Sequence, residues 1–205
     1  MKTVLFTQRV EVIESYRERR DCADQRIAEF LSACGYLPVP VPNVPDVARH
    51  MTDDLLPAAV VFTGGNNLVS YDGDAPERDQ TERELLKISE KRRIPVYGFC
   101  RGMQMILDSY GAELVRIEGH VAVNHEVAGS FGERVVNSYH GLACIKTDHP
   151  QIEILAKTRD DVIEAIRIRD KLIFGTMWHP ERRDPFEERD IRMVRSFIEE
   201  GKTVL

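Results

Sequence analysis

Residues 95 to 105 read Ile-Pro-Val-Tyr-Gly-Phe-Cys-Arg-Gly-Met-Gln, and at their centre Cys100 stands between Gly98 and Gly102, directly after a run of strand-forming residues. The pattern Gly-x-Cys-x-Gly suits a nucleophile elbow. A sharp strand-to-helix turn needs small residues on both sides of the nucleophile, because a side chain at either glycine would clash. The turn leaves the Cys100 sulfur at the N-terminus of the next helix, where the positive end of the helix dipole favours thiolate over thiol.

A thiolate nucleophile needs a group that handles protons. Near the C-terminus the chain reads Leu172-Ile173-Phe174-Gly175-Thr176-Met177-Trp178-His179-Pro180-Glu181. His179 follows an apolar strand, Pro180 biases it toward extended backbone, and residues two apart in an extended segment project to the same side. Glu181 is thereby placed to hold one imidazole nitrogen while the other faces Cys100, with the carboxylate setting tautomer and ring direction. A third element is the pair Gly64-Gly65 after a predicted strand. It lets the Gly65 N–H approach a substrate carbonyl, and with the Arg101 N–H beside the nucleophile it makes an oxyanion hole, typically worth ~3 kcal/mol per donor.

These residues are far apart in sequence, so the elements between them must bring them together. Strands are expected at residues 2 to 7, 37 to 41, 58 to 63, 94 to 99, 112 to 117, 120 to 127, 143 to 147, 153 to 157, 162 to 169 and 172 to 178. Helices are expected near 17 to 34, 78 to 92, 101 to 110 and 186 to 200, with Gly35, Gly111 and Gly201 closing three of them. The first four strands are separated by helix-like or longer segments, as parallel crossover units require, whereas the later strands follow closely and imply an antiparallel part. The expected fold is α/β: one doubly wound, mostly parallel sheet flanked by helices, with an antiparallel extension, over residues 1 to 205. Gln8-Arg9, Gly64-Gly65, Cys100 and His179 each follow a strand, so they meet at the carboxyl edge of the sheet.

Composition fits a compact enzyme: of 205 residues, 42% are hydrophobic and 30% charged, which argues against disorder. The formal net charge of −6 disfavours nucleic acid as a partner. No apolar stretch approaches the ~20 residues that span a bilayer, so no membrane partner is expected. The first ten residues read as a strand rather than a signal peptide. Cys22 and Cys34 fall in one predicted helix, where no bridge between them is feasible, and the four cysteines lack metal-type pairing, so a reducing cytoplasmic setting is expected. His120, His125 and Glu126 are close in sequence, but a regular strand over 120 to 127 would send the two histidines to opposite faces. Without a helical His-x-x-x-His or paired cysteines, no metal and no cofactor is expected.

The order Cys…His-x-Glu, with these local sequences, resembles the class I glutamine amidotransferase superfamily, and within it the γ-glutamyl hydrolase-like branch. Phe62-Thr63-Gly64-Gly65-Asn66 stands where that branch has its oxyanion loop, Cys100-Arg101-Gly102-Met103-Gln104 continues the elbow, and Val136-Asn137-Ser138-Tyr139-His140 is similar to its substrate-binding segment. The likeness runs from about residue 3 to 198 and implies a flavodoxin-like fold. It further implies that Gln104, one helical turn after Cys100, holds the α-amino acid end of a γ-glutamyl group, and that Asn137, Ser138 and Tyr139 contribute mainly backbone contacts. The opening Thr7-Gln8-Arg9 and the stretch Phe174 to Arg182 look in particular like the γ-glutamyl-CDP-amidate hydrolases of capsule phosphoramidate synthesis. An anionic leaving group of that kind suits arginine contacts, for which Arg9 and Arg101 are the candidates by position. Three other readings stand beside this one: a γ-glutamyl-GABA or other γ-glutamyl-amine hydrolase, a glutaminase subunit feeding ammonia to a synthase, and a non-catalytic binding protein on the same fold. The expected partner is a small γ-glutamyl compound, and a homodimer is left open.

Overall fold

Short β-branched and aromatic runs alternate with amphipathic helices through the computed structural model, which describes residues 1–129 and 132–203. In chain order the elements are β1 (Thr3–Thr7), β2 (Arg9–Ile13), β3 (Glu18–Cys22), α1 (Gln25–Ala33), β4 (Leu37–Val41), α2 (Pro45–Leu55), β5 (Ala59–Phe62), α3 (Pro76–Arg92), β6 (Val96–Phe99), α4 (Arg101–Ser109), β7 (Val115–Arg116), β8 (Val121–Gly129), β9 (Gly132–Tyr139), β10 (Leu142–Ala143), β11 (Ile152–Thr158), β12 (Ile163–Ile168), β13 (Ile173–Thr176) and α5 (Glu188–Glu200). Nine strands form one sheet in the order β4-β1-β5-β6-β13-β12-β11-β8-β9. The half from β4 to β13 is parallel and the half from β12 to β9 antiparallel. The expected fold class is therefore what the chain adopts.

The strands β5, β6 and β13 are buried at every residue, as strands covered on both faces must be. One face packs Ile27, Phe30 and Leu31 of α1 with Met193, Val194 and Phe197 of α5. The other packs Leu85 and Leu86 of α3 with Met103, Ile106 and Leu107 of α4. Both apolar layers hold the carboxyl ends of β1, β5, β6 and β13 in one row, which is what a site assembled from four loops requires.

Several expectations are corrected. The helix expected over 17 to 34 is in fact a hairpin, β2–β3, followed by a helix that begins only after Asp24, whose side chain caps it by accepting from the Arg26 N–H at 3.0 Å. The run Glu18–Cys22 lacks an apolar face at helical spacing, and Arg17 at φ 51° makes the turn. Cys22 thus ends a strand while Cys34 caps α1, so the two do not share a helix. Helix α2 went unread, although Pro45 at its first turn is a start signal. The strands expected at 112 to 117 and 143 to 147 shrink to two residues each, which pair with one another outside the main sheet.

The antiparallel extension overturns one inference about the histidines. Val121 pairs with Tyr139 and Val123 with Ser138, leaving Ala122, at φ 57°, as an extra bulged residue. A bulge shifts the alternation of side chains by one, so His120 and His125 lie together with ring centroids 4.8 Å apart instead of on opposite faces. Among the described residues no helix is long and apolar enough to cross a membrane.

Candidate active site

Strand β6 delivers Cys100 to the start of α4 with φ 52° and ψ −114°, a conformation L-residues seldom adopt and one that costs about 1–3 kcal/mol. The Cys100 N–H donates to the Thr176 carbonyl at the end of β13 at 2.8 Å, tying the elbow to the neighbouring strand. Both flanking glycines are required by contact. A Cβ on Gly98 would lie 2.7 Å from the Gly102 backbone, and one on Gly102 would lie 2.1 Å from the Phe62 carbonyl oxygen.

His179 is clamped through its backbone by one side chain. Its N–H donates to Asn137 Oδ1 at 2.8 Å, and Asn137 Nδ2 donates to its carbonyl at 2.9 Å. The ring sits between Phe99 and Tyr139, each edge-on with centroids 5.5 Å away. Its Nδ1 is 2.6 Å from Glu181 Oε1, and both residues are buried. Nε2 has no hydrogen bond of normal length among the described residues. A Cβ on Gly64 would come within 2.8 Å of His179 Cε1 and 3.6 Å of Cys100 Cβ, so the glycine is what lets imidazole and nucleophile share this space. Burial disfavours the imidazolium, but the negative charges of Cys100 and Glu181 outweigh it and raise the His179 pKa to about 9.

The glycine loop is held from behind by Arg78, which the sequence reading passed over. This fully buried guanidinium donates to the carbonyls of Thr63 at 2.7 Å, Gly64 at 3.0 Å and Gly65 at 2.6 Å. In a trans peptide C=O and N–H point to opposite sides, so fixing the Gly64 carbonyl on Arg78 turns the Gly65 N–H away from it. Gly65 has φ 88°, which only glycine adopts readily. Arg78 is balanced by Glu82 at 3.1 Å, and although burial and nearby Arg101 lower its pKa to about 10, it keeps its charge at neutral pH. The only sequence signal was an Arg78–Glu82 pair at i,i+4, which also describes a solvated helix face.

Arg101 is a correction. Its guanidinium is buried and paired with Asp79 and Glu82, so it is not free to meet a leaving group at the crevice. Its backbone N–H keeps its place at the first residue of α4, next to Cys100.

A cleft of about 300 Å³ opens over this row of strand ends, and its lining includes Arg9, Gly64, Gly65, His179, Glu181 and Arg182. Arg9 lies at the rim, half exposed and 2.5 Å from Glu11, while Arg182 stacks over the Tyr139 ring at 4.2 Å. The binding segment is divided between two faces of β9. Asn137 positions His179 and Tyr139 packs on its ring, whereas Ser138 points the other way and donates to the His120 carbonyl at 2.6 Å. Gln104 is buried and its amide donates to the Leu142 carbonyl at 2.9 Å, so its side chain braces β10 and is not part of the cleft lining.

With this geometry in view, comparison with known proteins is specific. A family model described as glutamine amidotransferase class-I matches residues 20–199. The chain is 31% identical to a γ-glutamyl-CDP-amidate hydrolase of Campylobacter jejuni, over 86% of this chain and 88% of that one. It is 24% identical to the γ-glutamyl-γ-aminobutyrate hydrolase PuuD of Escherichia coli, over 88% of each. Among solved structures, a GMP synthase subunit protein from Thermoplasma acidophilum superposes with a TM-score of 0.70 at 18% identity, covering 97% of this chain and 93% of that one, which speaks to the fold.

Proposed function

Because the chain belongs to the class-I glutamine amidotransferase family, we propose that it hydrolyses a γ-glutamyl amide bond through Cys100, His179 and Glu181. The observation that carries this reading is the assembly at one strand edge of a strained elbow cysteine and a buried imidazole whose far nitrogen is held by a carboxylate at 2.6 Å. In the first half-reaction the Cys100 thiolate attacks the γ-carbonyl, and the oxyanion is met by the Gly65 and Arg101 N–H groups. His179, held as imidazolium by Cys100 and Glu181, gives its proton to the leaving nitrogen as the C–N bond breaks. The neutral imidazole then takes a proton from water, which attacks the thioester and releases glutamate with the thiolate restored.

The substrate we favour is a γ-glutamyl nucleoside diphosphoramidate, as for the Campylobacter relative, with glutamate and cytidine diphosphoramidate as products. Two basic side chains at the cleft, Arg9 and Arg182, support it, since an anionic leaving group gains from guanidinium contacts that a small neutral amine does not need. A panel of γ-glutamyl-CDP-amidate, γ-glutamyl-GABA and glutamine, scored by glutamate release, tests this. The nucleotide compound should have the highest kcat/KM; preference for γ-glutamyl-GABA would overturn the finer assignment, and no glutamate from any of the three would overturn the coarser one.

A further inference from the structure

On the opposite face of β9 from Asn137, three histidines gather around one glutamate. Glu164 on β12 is fully buried, His120 and His140 nearly so, and His125 partly exposed. A single oxygen, Glu164 Oε1, is faced by His140 Nε2 at 3.2 Å, His125 Nε2 at 3.5 Å and His120 Nδ1 at 3.8 Å. The two longer approaches are poor as hydrogen bonds. His120 Nδ1, His125 Nε2 and Glu164 Oε2 indeed have no hydrogen-bond partner among the described residues.

These separations suit shared coordination better. Donor atoms held at about 2.0–2.2 Å by one tetrahedral ion lie about 3.3–3.5 Å from each other. One ligand atom from each of His120, His140 and Glu164 falls within 4.8 Å of the others, so a contraction of a few tenths of an ångström closes them on a common centre. The surroundings are also those of a ligand set: His120 Nε2 lies 2.9 Å from Asp160 Oδ2. A carboxylate behind an imidazole keeps the proton on the outer nitrogen and leaves the inner one with its lone pair free, as a metal-binding histidine requires. A fully buried carboxylate must in any case be compensated, and a dication does this directly.

We propose that His120, His140 and Glu164, with His125 as fourth donor, bind a divalent transition-metal ion, Zn²⁺ being the best match to imidazole and carboxylate donors in a tetrahedral set. The ion would tie the start of the β8–β9 hairpin to the central sheet. It would also fix the backbone immediately after Tyr139, whose ring packs on His179. Partly exposed His125 and well-exposed Asp160 leave a way in from solvent. The role is structural and does not depend on which γ-glutamyl compound the cleft accepts.

The test titrates EDTA-treated full-length chain with Co²⁺, then with competing Zn²⁺, by equilibrium dialysis and visible absorption, in the wild type and in Cys100→Ser to remove a competing thiolate. The expected result is one Co²⁺ per chain in both, with tetrahedral nitrogen–oxygen absorption, displaced by Zn²⁺, and a higher thermal midpoint with Zn²⁺. Asp160→Asn should weaken Co²⁺ affinity about 10–100-fold and His140→Gln should abolish stoichiometric binding. If circular dichroism shows His140→Gln unfolded, partly exposed His125→Ala decides, with a loss of at least about tenfold expected. Absence of stoichiometric Co²⁺ in the wild type, unchanged affinity in both Asp160→Asn and His125→Ala, or binding that vanishes in Cys100→Ser would overturn the proposal.

Discussion

Replacing Glu181 by Gln isolates what the carboxylate does for His179, because the amide keeps the shape and one oxygen acceptor but removes the charge. The lost contact is a buried, charge-assisted hydrogen bond of 2.6 Å, and bonds to charged groups contribute about 1.5–3 kcal/mol. At about 1.4 kcal/mol per decade this predicts a fall in kcat/KM of about 10–150-fold. The same energy sets the pH dependence. Glu181 favours the imidazolium and so raises the His179 pKa, to about 9 with Cys100 contributing; removing the charge lowers it. The wild type should therefore lose activity as pH rises through about 9, and in the variant this alkaline limb should fall about one to two pH units earlier. Linkage gives a matching stability signature. A histidine raised from 6.5 to about 9 contributes stability that is complete below pH 6.5 and lost as pH climbs through 9. The stability gap between wild type and Glu181→Gln should therefore be widest in mild acid and close at alkaline pH. Glutamate release from pH 5 to 10, with parallel urea melts, measures both. An unmoved alkaline limb, or a loss greater than that of His179→Ala, would refute the assignment of Glu181 as orienter.

Cys100→Ser should retain the fold and lose several orders of magnitude in turnover, and iodoacetamide should label Cys100 well before Cys34, whose burial pushes its thiol up to about 12, or buried Cys144; near-native turnover would remove Cys100 as nucleophile. Gly64→Ala places a Cβ 2.8 Å from His179 Cε1, and the displaced ring should cost about 100-fold in kcat with little change in KM, read from steady-state kinetics and a thermal melt showing a folded chain. Arg9→Ala should lower kcat/KM for γ-glutamyl-CDP-amidate at least about tenfold more than for glutamine, as loss of a charge-assisted contact predicts, and equal losses would speak against phosphate recognition at the cleft rim.

Local chemistry made the elbow, the His179-x-Glu181 pair and the Gly64-Gly65 loop legible in the amino-acid order, because each depends on neighbours within a few residues. The alternation of short apolar strands with helical segments likewise implied a parallel sheet and placed these motifs at one edge of it. Reading failed where the outcome depends on partners distant in sequence. Glu18–Cys22 carries no strong preference of its own and becomes a strand because β2 lies beside it. Arg78 and Arg101 look like surface charges on the chain, yet packing of α3 and α4 against the sheet buries both and gives them opposite carboxylates to meet. The histidines make the same point most sharply. Strand alternation separates His120 from His125 on paper, but one bulged residue at Ala122 reverses the parity, and the sheet then brings Glu164 and His140 to them across tens of residues. Sequence alone determined which short motifs could do chemistry, since those rest on covalent spacing; only the tertiary structure decided which charged and imidazole side chains are buried together, since that depends on register and on long-range packing.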